Sequence, residues 1–150
     1  MSVLKKILIG LLLLFVIMQF FRPEKNIDSN DSLTTFIKET KPSTKVQNIL
    51  SKACYDCHSN NTNYLWYNNI TPINFWMANH IKEGKDELNF SEWASYSTKR
   101  KKHKMEEVYE EVEEKHMPIS PYLITHSEAN LTDEEIKQLV DWAKEQHNNY

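Results

Sequence analysis

The apolar positions fall into blocks, and each block predicts an element. Residues 7–21 are apolar except for Gly10 and Gln19, with Lys5 and Lys6 just before them. Residues 23–42 are polar, carrying Asn26, Asp28, Ser29, Asn30, Asp31 and Ser32, with a short apolar group at Leu33, Phe36 and Ile37. Helical spacing then begins. Val46, Ile49, Leu50, Ala53 and Cys57 recur at helical intervals after Thr44 and Gln47, which fit a capping box. A loop by composition at residues 59–63 leads to Tyr64, Trp66 and Tyr67. The next stripe, Ile73, Trp76, Met77, His80 and Ile81, lies between helix-start signals at Thr71 and Pro72 and a helix-stop signal at Gly84. Ser91 is placed to cap a short helix carrying Trp93 and Tyr96.

A third amphipathic helix runs through Met105, Val108, Tyr109, Val112 and His116. Its solvated face changes from basic (Lys99 to Lys104) to acidic (Glu106 to Glu114). Pro118 disfavours helical geometry at Met117 and opens a loop that reaches Asn130. The last helix has the clearest punctuation. Thr132 and Glu135 make a capping box, and Leu131 and Ile136 are placed as a hydrophobic staple. Ile136, Leu139, Val140 and Ala143 form its buried face. The predicted fold class is all-α.

Composition agrees with helices, since the 150 residues include only two glycines. The net charge is −3, but residues 1–22 carry three basic groups and no acid. The remaining 15 basic and 21 acidic residues give a net −6 beyond Arg22. An acidic exterior argues against nucleic acid as a partner. The apolar run after Lys5-Lys6 is followed by Arg22 and by no small-residue cleavage site, which reads as an uncleaved signal-anchor over residues 1–22. The expectation is a single-pass protein of the inner membrane. A polar tether (23–42) would then carry a domain (43–147) on the periplasmic, extracytoplasmic side.

The chemistry is concentrated in Cys54-Tyr55-Asp56-Cys57-His58. This is the C-x-x-C-H attachment signature of c-type haem. On a helical turn the two thiols share a face, so both can add to the haem vinyl groups while His58 reaches the iron. The chain has only these two cysteines, so a four-cysteine zinc site is ruled out, and a thioredoxin-like dithiol would need a βαβ context. The expected cofactor is one haem c, held through Cys54 and Cys57. The sixth iron position needs soft sulfur or neutral imidazole. Candidates are Met77, His80, Met105, His116, Met117 and His126. Met117 ranks first because it lies in an extended, proline-held segment. His80 is second, and His126 follows. An open position also remains as an alternative. Trp66, Trp76 and Met77 are candidates for an apolar pocket wall.

The order of CxxCH after a first helix, a late Met117-Pro118 and LTDEEI opening a final helix resembles class I cytochrome c. That resemblance implies an all-α domain around haem, terminal helices packed near it, and iron ligands at the positions of His58 and Met117. The stretch from Ala53 to Trp93 includes CYDCHSN, Trp66-Tyr67, His80-Ile81-x-x-Gly84 and LNFSEW. It resembles a haem-binding domain family of bacterial membrane-anchored proteins, and the likeness covers roughly residues 42–145. Leu65 stands where that family has a proline. The expected function is a membrane-tethered monohaem cytochrome c that transfers single electrons to unidentified redox partner proteins. The alternatives are a peroxidase-like enzyme and a haem or redox sensor with an exchangeable sixth ligand.

Overall fold

A computed structural model of the chain describes residues 2–28 and 33–150. Ser29, Asn30, Asp31 and Ser32 of the expected tether lie outside the described residues. Helix follows helix: α1 Val3–Met18, α2 Thr34–Thr40, α3 Thr44–Ala53 and α4 Tyr55–His58. After a 3-10 turn at Trp66–Asn69 come α5 Ile73–Glu87 and a second 3-10 turn at Phe90–Ser95. The chain ends with α6 Thr98–Glu113, α7 Ser120–Leu123 and α8 Asp133–Asn149. Among the described residues there is no strand, only an isolated bridge between Ile27 and Asn61. The all-α class is thus observed.

The expected membrane anchor is corrected. α1 has 16 residues, about 24 Å of helix against a hydrocarbon core of about 30 Å. Among the described residues, no helix is long and apolar enough to cross a membrane. The single-pass inner-membrane placement and the side assigned to the domain fall with it. The physical reason lies at the end of the apolar run. The Gln19 amide donates to the Thr71 carbonyl at 3.0 Å and accepts from the Thr71 N–H at 3.0 Å, so the helix stops on the domain.

The apolar group at Leu33, Phe36 and Ile37 falls on an ordered helix within the stretch read as tether. α2 carries Phe36, which is fully buried. Its ring sits 4.6 Å from Phe90, 5.3 Å from Trp93 and 6.1 Å from Trp142, the last two edge-on. Upstream, Asn26 fastens the chain to the loop after α4. Its amide donates to the Ser59 carbonyl and to Thr62 Oγ1, both at 2.9 Å.

The core joins α3, α6 and α8. Val46, Ile49 and Leu50 of α3 meet Leu139, Val140 and Ala143 of α8, and Met105 and Val112 come from α6. Full burial of such side chains stabilises by about 1.5–3 kcal/mol each. α8 starts as its sequence dictates. Thr132 accepts from the Glu135 N–H, and Glu135 accepts from the Thr132 N–H. Replacing Thr132 with alanine is expected to lower unfolding stability by about 1 kcal/mol, read as a shift in denaturant midpoint. An unchanged midpoint would show that α8 is held by packing alone.

Candidate functional site

The CxxCH segment is a turn of its own rather than the end of the preceding helix. α3 stops at Ala53, and Cys54 leaves helical geometry at φ −128°. The Cys54 carbonyl then accepts from the N–H groups of Cys57 and His58, at 3.2 and 2.9 Å. Asp56 braces the turn from below. Its carboxylate accepts from the Asn63 N–H at 3.0 Å and from the Tyr122 hydroxyl at 2.9 Å.

α5 approaches this turn more closely than a side chain permits. A Cβ on Gly84 would meet the Cys57 carbonyl oxygen at 2.9 Å and the Cys57 Cβ at 3.3 Å. Gly84 was expected as a helix stop, but α5 continues through it to Glu87. The glycine is needed for close approach. One turn on, the Leu88 carbonyl lies 3.0 Å from His58 Nδ1. A carbonyl only accepts, so Nδ1 carries the proton, and Nε2 is the basic nitrogen left for a metal. Burial pulls the His58 imidazole below its ordinary 6.5, against the Leu88 and Gly84 carbonyls, which raise it. The neutral, ligating form is therefore favoured at neutral pH. An unfolded chain takes up this proton more readily, so haem-free protein is expected to lose thermal stability as pH falls below about 6.5. A flat melting temperature across that window, or a slope that persists when His58 is replaced by glutamine, would contradict this.

Burial pushes Cys54 up to about 12 and Cys57 up to about 11. Both are free and remain thiols at neutral pH. Thiolate-based redox exchange is disfavoured on that ground. Among the described residues no cluster of three His, Cys, Asp or Glu side chains is placed to hold a metal ion.

Three cavities are lined by Cys54, Cys57 or His58. One of about 450 Å³ is lined by Cys57, His58, His80, Gly84, Met117 and Pro121, among others. A second of about 320 Å³ is lined by Cys54, His58, Leu88, Phe90, Val112 and Met117. The third, about 280 Å³, has Cys57, Trp66, Trp76, Met77 and His80 on its wall. His58 and Met117 are thus together in two of the three. The end of α6 sets Met117 there. Lys115 turns left-handed at φ 60°, and the Glu111 carbonyl accepts from both His116 and Met117 N–H groups, at 2.9 and 3.0 Å.

The other sequence candidates separate cleanly. Trp66, Trp76 and Met77 do share a wall, but only Met77 is buried, and Trp66 is 76% exposed. Met105 is sealed in the core. His116 is exposed beside Glu111 and Glu114. His126 is buried outside these cavities. It stacks on Tyr122 at 3.9 Å, with its Nε2 3.2 Å from the Tyr67 hydroxyl. Sequence reasoning missed Leu88 and the close-approach role of Gly84. The first acts through its backbone and leaves no side-chain signal. The second was visible as a glycine but not as a contact.

These residues fit a haem. The cavities are largely apolar, as a porphyrin plane requires. Ile73 and Trp76 stand partly exposed on the α5 side, a surface that a large flat group would cover. The imidazole and the thioether line two of these cavities together, with the Cys57 thiol in one and the Cys54 thiol in the other. Comparison with known proteins bears on the same point. No curated protein and no solved structure matches this chain. A family model described as haem-binding domain matches residues 13–145. The chain therefore belongs to the haem-binding domain family and is a haem-binding protein.

Proposed function

We propose that this protein holds one haem covalently through Cys54 and Cys57, with His58 and Met117 as axial ligands, and passes single electrons between redox partner proteins. The observation that carries this reading is the shared lining of two cavities by His58 and Met117. When bound, the haem supplies an iron that gains and loses one electron. The chain's own residues supply the rest. Cys54 and Cys57 offer protonated thiols, the form whose S–H adds across a vinyl double bond. His58 presents Nε2 while Leu88 holds its tautomer. Met117 offers a thioether, which favours the ferrous state relative to a second imidazole. Phe90, Val112 and Ile119 contribute apolar wall to these cavities.

Haem-loaded protein is expected to titrate with the Nernst slope of one electron and to stay six-coordinate in both states. Its ferric spectrum should show a sulfur–iron charge-transfer band that disappears in Met117→Ala. A high-spin wild-type ferric spectrum with immediate carbon monoxide binding on reduction would overturn the electron-transfer reading in favour of a catalyst.

A further inference from the structure

His80, like His58, has its Nδ1 against a backbone carbonyl, here one turn back in its own helix. Its Nδ1 lies 2.9 Å from the Trp76 carbonyl, so Nδ1 carries the proton and Nε2 is the basic nitrogen. Its ring is fixed against Trp76, centroid to centroid at 4.1 Å. No hydrogen bond to Nε2 is formed among the described residues. His126 also has its Nδ1 against a carbonyl, that of Tyr122, but its Nε2 is taken by Tyr67. Among the described residues, His80 is the histidine besides His58 that lines the cavity holding His58 and Met117, and its basic nitrogen is free. It stands one turn before Gly84, the point where α5 touches Cys57, so the helix carrying it is registered on the haem motif.

The two donors differ in how they are held. Met117 is 36% exposed on a segment just beyond the end of α6. His80 is fixed by its own helix and by the Trp76 ring. A thioether on a surface segment is the more easily withdrawn.

We propose that His80 is a second donor for the sixth axial position and takes it when the Met117 thioether leaves, so that the site exchanges sulfur for imidazole. This rests on the reading that haem lies between His58 and Met117. In the exchange an iron–sulfur bond breaks and an iron–nitrogen bond forms. The Nε2 lone pair is already free, so no proton and no electron is released. The consequence is a haem that stays six-coordinate after losing its methionine, but with a lower potential.

The test uses the full chain loaded with haem, as wild type, Met117→Ala, Met117→Leu, His80→Ala and Met117→Ala with His80→Ala. Leucine preserves the volume of Met117 and guards against a packing defect. Ferric optical and electron paramagnetic resonance spectra report the ligand set, and azide reports an open position. In the expected result both Met117 variants lose the sulfur band yet remain low-spin with a bis-imidazole signature. The double variant turns high-spin and binds azide about tenfold more tightly than Met117→Ala, because His80 no longer occupies the position. If either Met117 variant is high-spin and binds azide as tightly as the double variant, His80 does not reach the iron. The exchange is then overturned, while Met117 stands as the ligand. A Met117→Ala spectrum identical to wild type would instead remove Met117 from the iron, and both readings of the sixth position would fail.

Discussion

Haem in the doubly substituted Cys54→Ala, Cys57→Ala chain is expected to be completely extractable with acidified organic solvent, whereas wild-type haem stays with the polypeptide after denaturation. Burial holds the two thiols at about 12 and about 11, so each carries its proton at neutral pH. Addition across a vinyl group uses both sulfur and proton and needs no oxidant. Each single variant should keep one thioether link and remain coloured on a denaturing gel. The double variant should still bind haem, because His58, Met117 and the cavity walls remain. Its affinity should be weaker, and its alkaline pyridine spectrum should be that of a haem with both vinyl groups intact. Haem that survives extraction in the double variant would refute covalent attachment through these cysteines. Haem that extracts fully from wild type would refute it equally.

The second large effect is expected at Gly84. In an ordinary helix interior, alanine in place of glycine stabilises by about 1 kcal/mol. Here the sign should reverse. The added Cβ would lie 2.9 Å from the Cys57 carbonyl oxygen, a backbone atom that cannot rotate away. Either α5 or α4 must retreat. A retreat of α5 carries the Leu88 carbonyl with it, because the Leu88 N–H donates to the Gly84 carbonyl at 2.9 Å. His58 then loses the partner that sets its tautomer. Overpacking of this kind costs about 1–3 kcal/mol, so Gly84→Ala should lower the denaturant midpoint, and Gly84→Val should lower it further. Both should retain less haem per chain at equal expression. Gly10→Ala is the control, since nothing lies within 4 Å of a Cβ at that position. A Gly84→Ala chain as stable as wild type, with full haem, would show that the two elements separate freely.

The parts of this protein that could be read early are those fixed by neighbours in sequence. The Thr132–Glu135 box needs only residues three apart and forms as expected. At α3 the cap moved one residue, with Ser43 accepting from the Val46 N–H instead of Thr44 capping. At the turn after α5, Asn89 caps where Ser91 was expected. Such shifts are small because adjacent polar residues offer the backbone nearly equal bonds. The larger misreadings involve distant partners. Leu33, Phe36 and Ile37 mark a short ordered piece within the polar stretch, but three positions do not say what they pack against. The burial of Phe36 depends on Phe90, Trp93 and Trp142, far along the chain. The apolar run of residues 7–21 reads, with its flanks, as long enough to span a membrane, but among the described residues no helix is long and apolar enough to do so, and Gln19 at its end is bonded to Thr71.

The sequence by itself determined the helical class, the place of the last helix and the thiol–thiol–imidazole turn. Each is a pattern of local spacing, and local spacing survives any tertiary arrangement. Only the tertiary structure decided which donors share a cavity with His58. It brought Met117 there through the turn after α6, brought His80 there on α5, and set Met105, His116 and His126 apart from it. It also assigned the Leu88 carbonyl to His58 Nδ1, a choice no side chain announces, since every residue carries the same carbonyl.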